Sequence, residues 1–242
     1  MPNIFSSEKM LQLNKSYDSA LQHIRSQDPL PPLRGTVDIY PWDIATILAH
    51  GLEYQPRPIF QSYSVYTEAL IEKNKYFLQS QKASEHILFN VLDIDNRLPS
   101  MMEGANWLEI LNRYDVVDIF KNYVLLSKRN LPKESFLLED GHSFNVAFDE
   151  VIKLPEDMTL IWSSIHIEKS SFGKVLKTFY KSPILYIEIT YANGDIGRNR
   201  IVPQVANAGF ILSPKIENKE DFVIFALEPE VLLSNKKVVS IR

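Results

Sequence analysis

The sequence of 242 residues has no cysteine, few glycines and no long apolar run. The lack of cysteine excludes disulfides, thiolate metal sites and cysteine nucleophiles. With only 8 glycines and no Gly-x-Gly-x-x-Gly string, a phosphate-binding loop built on close backbone approach is not expected. No run approaches the roughly 18 to 20 apolar residues that cross a bilayer, and the amino terminus lacks a signal-peptide layout. We therefore expect a soluble chain.

Charge of one sign is also missing. The 26 basic and 30 acidic side chains give a net charge of −4 and are spread over both halves of the chain. A chain of this balance has no long-range attraction for phosphate backbones, so nucleic acid is not an expected partner. Hydrophobic residues make up 45% of the sequence, which is enough to fill a genuine core.

Residues 1–34 are predicted to be an amphipathic helix followed by a proline-rich linker. Apolar residues spaced three and four apart between Ser6 and Ser26 define one helical face: Met10, Leu13, Tyr17, Leu21 and Ile24. The segment Asp28–Gly35 contains three prolines and cannot continue the helix. The helix is interpreted as the first helix of the fold, a docking element, or the stump of a membrane-proximal segment.

Residues 35–130 alternate strand and helix signals, which predicts a small, mainly parallel α/β layered domain. The helix from Trp42 to His50 has Gly51 placed to end it in the left-handed conformation. A second apolar stretch, Arg57–Tyr63, is read as the next strand, and Thr67 as the cap of a helix. The other predicted elements are strands Thr36–Tyr40, Ile87–Leu92 and Tyr123–Ser127 and a helix Trp107–Arg113.

Residues 131–242 change to an alternating pattern, which predicts a β-sandwich of about eight strands. Leu185 to Tyr191 alternates apolar and polar positions and is followed by Asn193-Gly194, the strongest short hairpin signal. The remaining strand candidates are Phe136–Leu138, Phe144–Phe148, Leu160–Ile167, Phe210–Leu212, Phe222–Leu227 and Val238–Ile241.

Several strings carry a resemblance to a known group of proteins. They are Val37–Asp43, Arg57–Tyr63, Asp95–Pro99, Asn199–Pro203 and Gly209–Pro214. They resemble the soluble carboxy-terminal, extracytoplasmic portion of uncharacterised bacterial membrane proteins whose multi-spanning part is similar to lipid-linked-sugar glycosyltransferases. The resemblance implies a place outside the bacterial cytoplasmic membrane, a membrane protein or membrane-spanning segment as a partner, and a role near glycan or lipid-linked sugar. A cytoplasmic location is the alternative.

The predicted site lies at the carboxyl ends of the parallel strands, where ligands bind in open α/β folds. Nine residues are expected to line one polar cleft there, with Trp42 as a stacking face for a sugar: Asp38, Trp42, Asp43, Arg57, Gln61, Tyr63, Asp93, Asp95 and Arg97. The alternative interpretation is that Arg57 and Arg97 pair with the aspartates and tie the loops down.

Other chemistry has weaker signals. Asp93 and Asp95 form an Asp-x-Asp that transferases use with a divalent ion, or a pair of acids for glycoside hydrolysis. The five histidines are scattered, and neither a metal site nor a cofactor is predicted. Asp195, Arg198 and Arg200 are interpreted as charges that protect an edge strand. Exposed Tyr186 or Trp162 is a second candidate platform for a sugar.

These observations favour an accessory or binding module of the cell envelope that handles glycan or lipid-linked sugar without catalysis. The first alternative is a hydrolase or transferase that uses Asp38, Asp93 and Asp95, with Arg57 or Arg97 stabilising developing negative charge. The second is a structural domain that docks a partner through its amino-terminal helix.

Overall fold

The computed structural model describes residues 7–133, 141–156, 160–168 and 183–242. Over these residues the chain is a mixed α/β protein, as the sequence predicts. The helices are α1 (Ser7–Gln27), α2 (Ile44–His50), α3 (Glu68–Gln79), α4 (Gly104–Arg113), α5 (Pro203–Asn207), α6 (Lys219–Leu227) and α7 (Pro229–Lys236). Within the described ranges, no helix combines the length and apolarity needed to cross a bilayer.

The strands form three sheets. They are β1 (Thr36–Tyr40), β2 (Glu53–Tyr54), β3 (His86–Phe89), β4 (Tyr114–Ile119), β5 (Val124–Lys128), β6 (Ile152–Lys153), β7 (Ile161–Ser163), β8 (Leu185–Tyr191), β9 (Ile196–Ile201), β10 (Phe210–Ser213) and β11 (Val238–Ile241). The first sheet has the order β2-β1-β3-β5-β4, the second β6-β11-β8-β9, and β10 pairs with β7 in the third.

The first sheet is mixed. Its strands β2, β1 and β3 are parallel, but β5 runs antiparallel to β3 and pairs with β4 as a hairpin. Strand β4 is not predicted from the sequence because its residues directly follow α4 and most of them are exposed. A tight turn closes the hairpin, with Phe120 N donating to the Tyr123 carbonyl at 2.7 Å. A turn this short forces the antiparallel direction.

Helix α2 follows the prediction closely. It ends at His50, and Gly51 adopts the left-handed conformation with φ 62°, as its position past the helix predicts. The predicted strand in Arg57–Tyr63 is wrong. The strand beside β1 is the short Glu53–Tyr54, and Ser62–Ser64 is a 3₁₀ turn. Pro58 cannot donate to a strand ladder, so this segment cannot extend the sheet.

The Asn-Gly hairpin is confirmed. Strands β8 and β9 pair in the expected way, with Ile187 and Ile189 buried and Tyr186 exposed. The connection differs from the two-residue turn, because Tyr191 N donates to the Asp195 carbonyl at 2.9 Å across three residues. Only Gly194 has a positive φ, 88°, which is the pattern of a three-residue hairpin loop.

Two predicted strands are wrong and one lies outside the described residues. Phe222–Leu227 is part of helix α6, whose amino terminus is capped by the Asn218 side chain accepting from Asp221 N at 2.8 Å. Phe144–Phe148 has no strand pairing and is exposed. Phe136–Leu138 falls outside the described residues. The predicted strand Leu160–Ile167 is shortened to β7.

The amino-terminal segment divides into two parts. The first fourteen residues of α1, positions 7–20, are exposed, and the Leu21 and Ile24 side chains are half-buried. After the helix, Leu30 and Leu33 of the linker pack against the cluster of buried residues on one face of the first sheet. The proline-rich segment is therefore attached to the sheet surface along its length.

The two halves of the chain share a core. The first sheet contributes Phe89, and α6 contributes Phe222, whose rings stack with centroids 4.2 Å apart. Gly104 at the start of α4 lies against the backbone of Gly209, since an added Cβ would be 2.3 Å from the Gly209 carbonyl oxygen. No named sheet runs through both halves of the described chain. The domain boundary between residues 130 and 131 stays a prediction.

Candidate functional site

The nine predicted site residues lie in three places. Asp38 and Arg57 are buried under the first sheet's strand ends, and Trp42, Asp43, Gln61 and Tyr63 are half-buried around them. Asp93, Asp95 and Arg97 lie in the loop after β3, against strand β9. The structure therefore divides the predicted set into an internal ion pair, a surface group and a loop that faces the other half of the chain.

Arg57 is completely enclosed. Its guanidinium bonds the Asp38 carboxylate at 3.1 Å and approaches Glu103 at 3.6 Å, and it lies 3.5 Å from the centre of the Tyr40 ring. It also donates to the Ser62 hydroxyl and to three carbonyls from two segments. The carbonyl acceptors are Ile39, Pro41 and Phe60, each at 2.8 to 2.9 Å. We name Arg57, Asp38, Glu103 and Tyr40 the Arg57 cluster. It supports the interpretation of Arg57 as a tie between loops.

Glu103 completes this cluster and is not predicted from the sequence. Its φ of 59° places it in the left-handed region, one residue before α4. Its carboxylate accepts from the Asn74 side chain at 2.7 Å and from Asn106 at 2.5 Å. Burial raises the pKa of Asp38 although Arg57 lies beside it. Removal of the Asp38 carboxylate from water outweighs the attraction of Arg57 and the hydrogen bonds that it accepts from the backbone of Ile39 and Arg57.

The surface group at the end of β1 is held together by ring packing and hydrogen bonds. Trp42 and Tyr63 pack edge to face with ring centroids 5.6 Å apart. Asp43 accepts from the Tyr123 hydroxyl at 2.6 Å and from Thr46 at 2.9 Å. A separate small cavity of about 10 Å³, with room for about one water molecule, lies between Tyr40, Phe89 and Trp107.

The loop after β3 docks along strand β9. Asn96 accepts from Arg200 N at 2.7 Å and donates its side-chain amide to the Arg198 carbonyl at 3.0 Å. Asp95 bonds the side chain of Arg200 at 2.8 Å and that of Arg97 at 3.3 Å. Asp95 and Asn96 both have positive φ, which small polar residues tolerate. The loop thus covers the edge that Arg198 and Arg200 were expected to protect by charge alone.

A larger cleft lies between this loop, β9 and the segment after β10. Its volume is about 200 Å³. We name it the β9 cleft, and its lining residues are Asp93, Asn96, Arg97, Pro99, Arg198, Asn199, Lys215 and Glu217. Of the predicted site residues, Asp93 and Arg97 line this cleft, and Asp95 lies at its edge, paired with Arg97.

Two buried polar side chains of the β9 cleft have hydrogen-bonding capacity to spare. Arg97 is 6% exposed and Asn199 is 7% exposed. Arg97 bonds only Asp95 through its side chain, and its buried Nε has no partner among the described residues. The buried Oδ1 of Asn199 is likewise unpaired within the described chain. Buried polar groups normally have partners, and these two atoms belong to side chains that line the cleft.

Lys215 lies on the opposite side of the same cleft. It is 6% exposed, pairs with Glu217 at 2.7 Å and sits 5.3 Å from the centre of the Tyr191 ring. Burial alone would lower the pKa of Lys215, but its ion pair with Glu217 and its proximity to Tyr191 outweigh burial and raise it. Glu217 also bonds Lys236 at 3.0 Å. The ammonium group of Lys215 therefore remains charged at neutral pH.

Aromatic rings lie beside two arginines of the cleft. The Arg97 guanidinium is 5.7 Å from the centre of the Tyr66 ring, and that of Arg198 is 4.3 Å from the Tyr186 ring. Tyr186, one of the two predicted sugar platforms, is exposed, but Arg198 lies over it. The second predicted platform, Trp162, lies against Gly209. A Cβ added at Gly209 would be 2.4 Å from the indole nitrogen of Trp162.

Asn199, Lys215 and Glu217 are not identified by the sequence reasoning as site residues. Asn199 and Lys215 fall in or beside strings that carry the resemblance, which was the available signal. No local pattern indicates that the loop after β3 meets β9. In the described ranges, no group of three or more histidine or acidic side chains is arranged to hold a metal. Comparisons with models of protein families, with curated proteins and with solved structures found no match to this chain.

Proposed function

We propose that this chain is a non-catalytic binding module whose β9 cleft takes a small hydroxyl-rich ligand of the glycan or lipid-linked-sugar class. The observation that carries the proposal is the pair of unsatisfied buried groups, an N–H donor of Arg97 and the carboxamide oxygen of Asn199. A sugar hydroxyl both donates and accepts, so neighbouring hydroxyls can satisfy both groups. The cleft volume of about 200 Å³ suits a ligand of monosaccharide size.

The state of the carboxylates supports binding without turnover. Glycoside hydrolysis needs a carboxylic acid that is still protonated near the working pH. Burial would raise the pKa of Glu217, but the hydrogen bonds from Lys215 and Lys236 outweigh burial and lower it. Asp95 is held between Arg97 and Arg200. Both carboxylates therefore act as ion-pair partners that position the cations.

The proposal places the module at the extracytoplasmic face of a bacterial membrane, next to a membrane protein or membrane-spanning segment. Its support is the resemblance of the strings Asp95–Pro99 and Asn199–Pro203, which lie on the two sides of the β9 cleft. We also propose that the second half is a sandwich-like unit. The four-stranded and two-stranded antiparallel sheets contribute Ile187, Ile189, Phe210 and Leu212 to one core cluster, which supports that description.

The test is a calorimetric or ligand-observed NMR screen of neutral monosaccharides, disaccharides and sugar phosphates against the whole chain. We expect at least one to bind with a Kd near or below about 1 mM, which corresponds to roughly 4 kcal/mol. Asn199→Ala should abolish that binding while the melting temperature stays close to that of the parent. Asn235→Ala, on exposed α7, is the matched control and should bind normally. No binding by any member of the panel overturns the proposal.

A further inference from the structure

We propose that the β9 cleft selects a phosphorylated sugar, with the phosphate against Arg97 and Lys215 and the sugar hydroxyls toward Asn199. This inference rests on the proposed function and names the ligand class. It starts from the distribution of charge across the cleft, which the overall net charge of −4 does not reveal.

The cations of the cleft are buried and the carboxylates that pair with them are at the rim. The Arg97 and Lys215 side chains are each 7% exposed, whereas their partners Asp95 and Glu217 are 51% and 44% exposed. Water screens an exposed carboxylate far more effectively than it screens an enclosed cation. The floor of the cleft is therefore positive even though each cation has an acidic partner.

The partners are also shared with other cations. Asp95 serves Arg200 as well as Arg97, and Glu217 serves Lys236 as well as Lys215. Lys236 has a second carboxylate, Asp221, at 2.6 Å, and Asp93 lies in the cleft lining. Arg198 also lines the cleft, and Glu188 lies opposite it across strands β8 and β9. The positive charge of the floor therefore rests on the burial of Arg97 and Lys215.

The donor geometry favours phosphate over a simple point anion. Among the described residues the Arg97 side chain makes one hydrogen bond, to Asp95, so further N–H groups of its planar fork remain for a ligand. Its guanidinium lies 5.7 Å from the centre of the exposed Tyr66 ring, a contact that does not neutralise the cation. Lys215 adds an ammonium from another part of the lining. The Oδ1 atom of Asn199, unpaired within the described chain, then accepts from a hydroxyl beside the phosphate.

The experiment compares glucose, glucose 1-phosphate and inorganic phosphate by isothermal titration of the whole chain. We expect glucose 1-phosphate to bind at least about tenfold more tightly than glucose, a difference of about 1.4 kcal/mol. Raising the salt concentration from about 50 mM to about 500 mM should weaken the binding of glucose 1-phosphate. The affinity for glucose should not change, because screening acts on the charged ligand alone. Phosphatidylcholine vesicles carrying polyprenyl phosphate, in a flotation assay, distinguish a lipid-borne phosphate from a free one.

Two variants assign the residues. Lys215→Gln and Arg97→Lys should each lower the affinity for glucose 1-phosphate by about tenfold or more, and Lys215→Gln should leave the affinity for glucose within about twofold of the parent. Lys75→Gln and Arg242→Lys change exposed ion pairs elsewhere and are the controls. Equal affinity for glucose and glucose 1-phosphate overturns this inference and leaves the proposed function standing. Binding of neither glucose nor glucose 1-phosphate overturns this inference, while the wider sugar panel decides the proposed function. The salt dependence of the parent protein needs no variant to fold.

Discussion

A guanidinium enclosed by protein on every side, as that of Arg57 is, must find all of its partners within the chain. Asp38 and Glu103 supply negative charge and the Tyr40 ring supplies its face, while carbonyls from the end of β1 and from the segment before the 3₁₀ turn accept from the two terminal nitrogens. The Nε group has Glu103 at 3.6 Å and no hydrogen bond within the described chain. Arg57 thereby fixes the shape of the loops at the strand ends.

Replacing Arg57 tests this role. Arg57→Met leaves Asp38 and Glu103 buried without a cation, and we expect a loss of about 3–5 kcal/mol in the free energy of unfolding. Arg242→Met, at an exposed ion pair, should change it by less than about 1 kcal/mol. Denaturant titration measures both. An Arg57→Met protein as stable as the control would show that the cluster does not hold the loops.

The ion pairs of Glu217 predict how the free energy of unfolding depends on pH. Its pKa is lowered in the folded chain from its usual 4.5, so it adds stability above that value and loses it as the pH falls through the lowered pKa. Glu217→Gln should therefore be less stable than the parent at pH 7, and the difference should shrink at a second, acidic pH as the lowered pKa is approached. Denaturant titrations at the two pH values measure it. A difference that persists undiminished in acid contradicts the assigned ion pairs with Lys215 and Lys236.

At the level of elements, the sequence predicts those features that a few neighbouring residues determine, such as a helix end or a hairpin turn. Helix α2 ends at the glycine that the sequence indicates, and the hairpin of β8 and β9 turns at Asn193-Gly194. Helix α6 was mistaken for a strand because its run Phe222–Leu227 is apolar on all sides and shows no helical period. The cap at Asn218 was the signal that identified it as a helix.

The site was only partly predictable for a different reason. Asp93 and Arg97 were identified because they follow a buried strand, and they do line the β9 cleft. Asn199 and Lys215 reach the same cleft from positions more than a hundred residues away in the sequence, through the docking of a loop on an edge strand. Nothing in one sequence specifies that contact. Around Asp38, at the strand ends, Glu103 and Arg57 also come together from distant segments, and the cleft expected there stays a prediction.

The contact between α4 and β10 is the element-level feature most sensitive to mutation. A Cβ at Gly104 would lie 2.3 Å from the Gly209 carbonyl oxygen and 2.9 Å from the Phe210 Cα, both backbone atoms. We expect Gly104→Ala to cost about 1–3 kcal/mol or more, because the two elements must separate. Gly141→Ala, where nothing lies within 4 Å, should stay within about 0.5 kcal/mol. Thermal denaturation compares the two variants. Equal stability of Gly104→Ala and Gly141→Ala would contradict the close packing of α4 on this backbone.

For the molecule as a whole, the central question is whether its halves are independent. Phe89 and Trp107 of the first half surround Phe222 of the second, with ring centroids 4.2 and 5.7 Å from it. The Ser100 hydroxyl donates to the Ile211 carbonyl at 2.7 Å in the same region. The β9 cleft itself is formed from both halves. Its geometry therefore depends on the halves remaining docked.

Phe222→Ala tests that dependence. Removing this buried ring should cost about 3–5 kcal/mol. Because the core is shared, we expect the parent and the variant each to unfold in a single transition, seen identically by tryptophan fluorescence and circular dichroism. The conservative Phe222→Leu should lose less stability. Two separate transitions, with only one shifted by the substitution, would show that the halves are separately cored.

The most direct measurement of the central claim is an amide-resolved NMR titration of the whole chain with glucose 1-phosphate. The account predicts chemical-shift changes concentrated in the residues that line the β9 cleft, at 93–97, 198–199 and 215–217, and their loss in Asn199→Ala. Shift changes centred instead on Asp38, Trp42 and Tyr63 at the strand ends, or none at millimolar ligand, would contradict it.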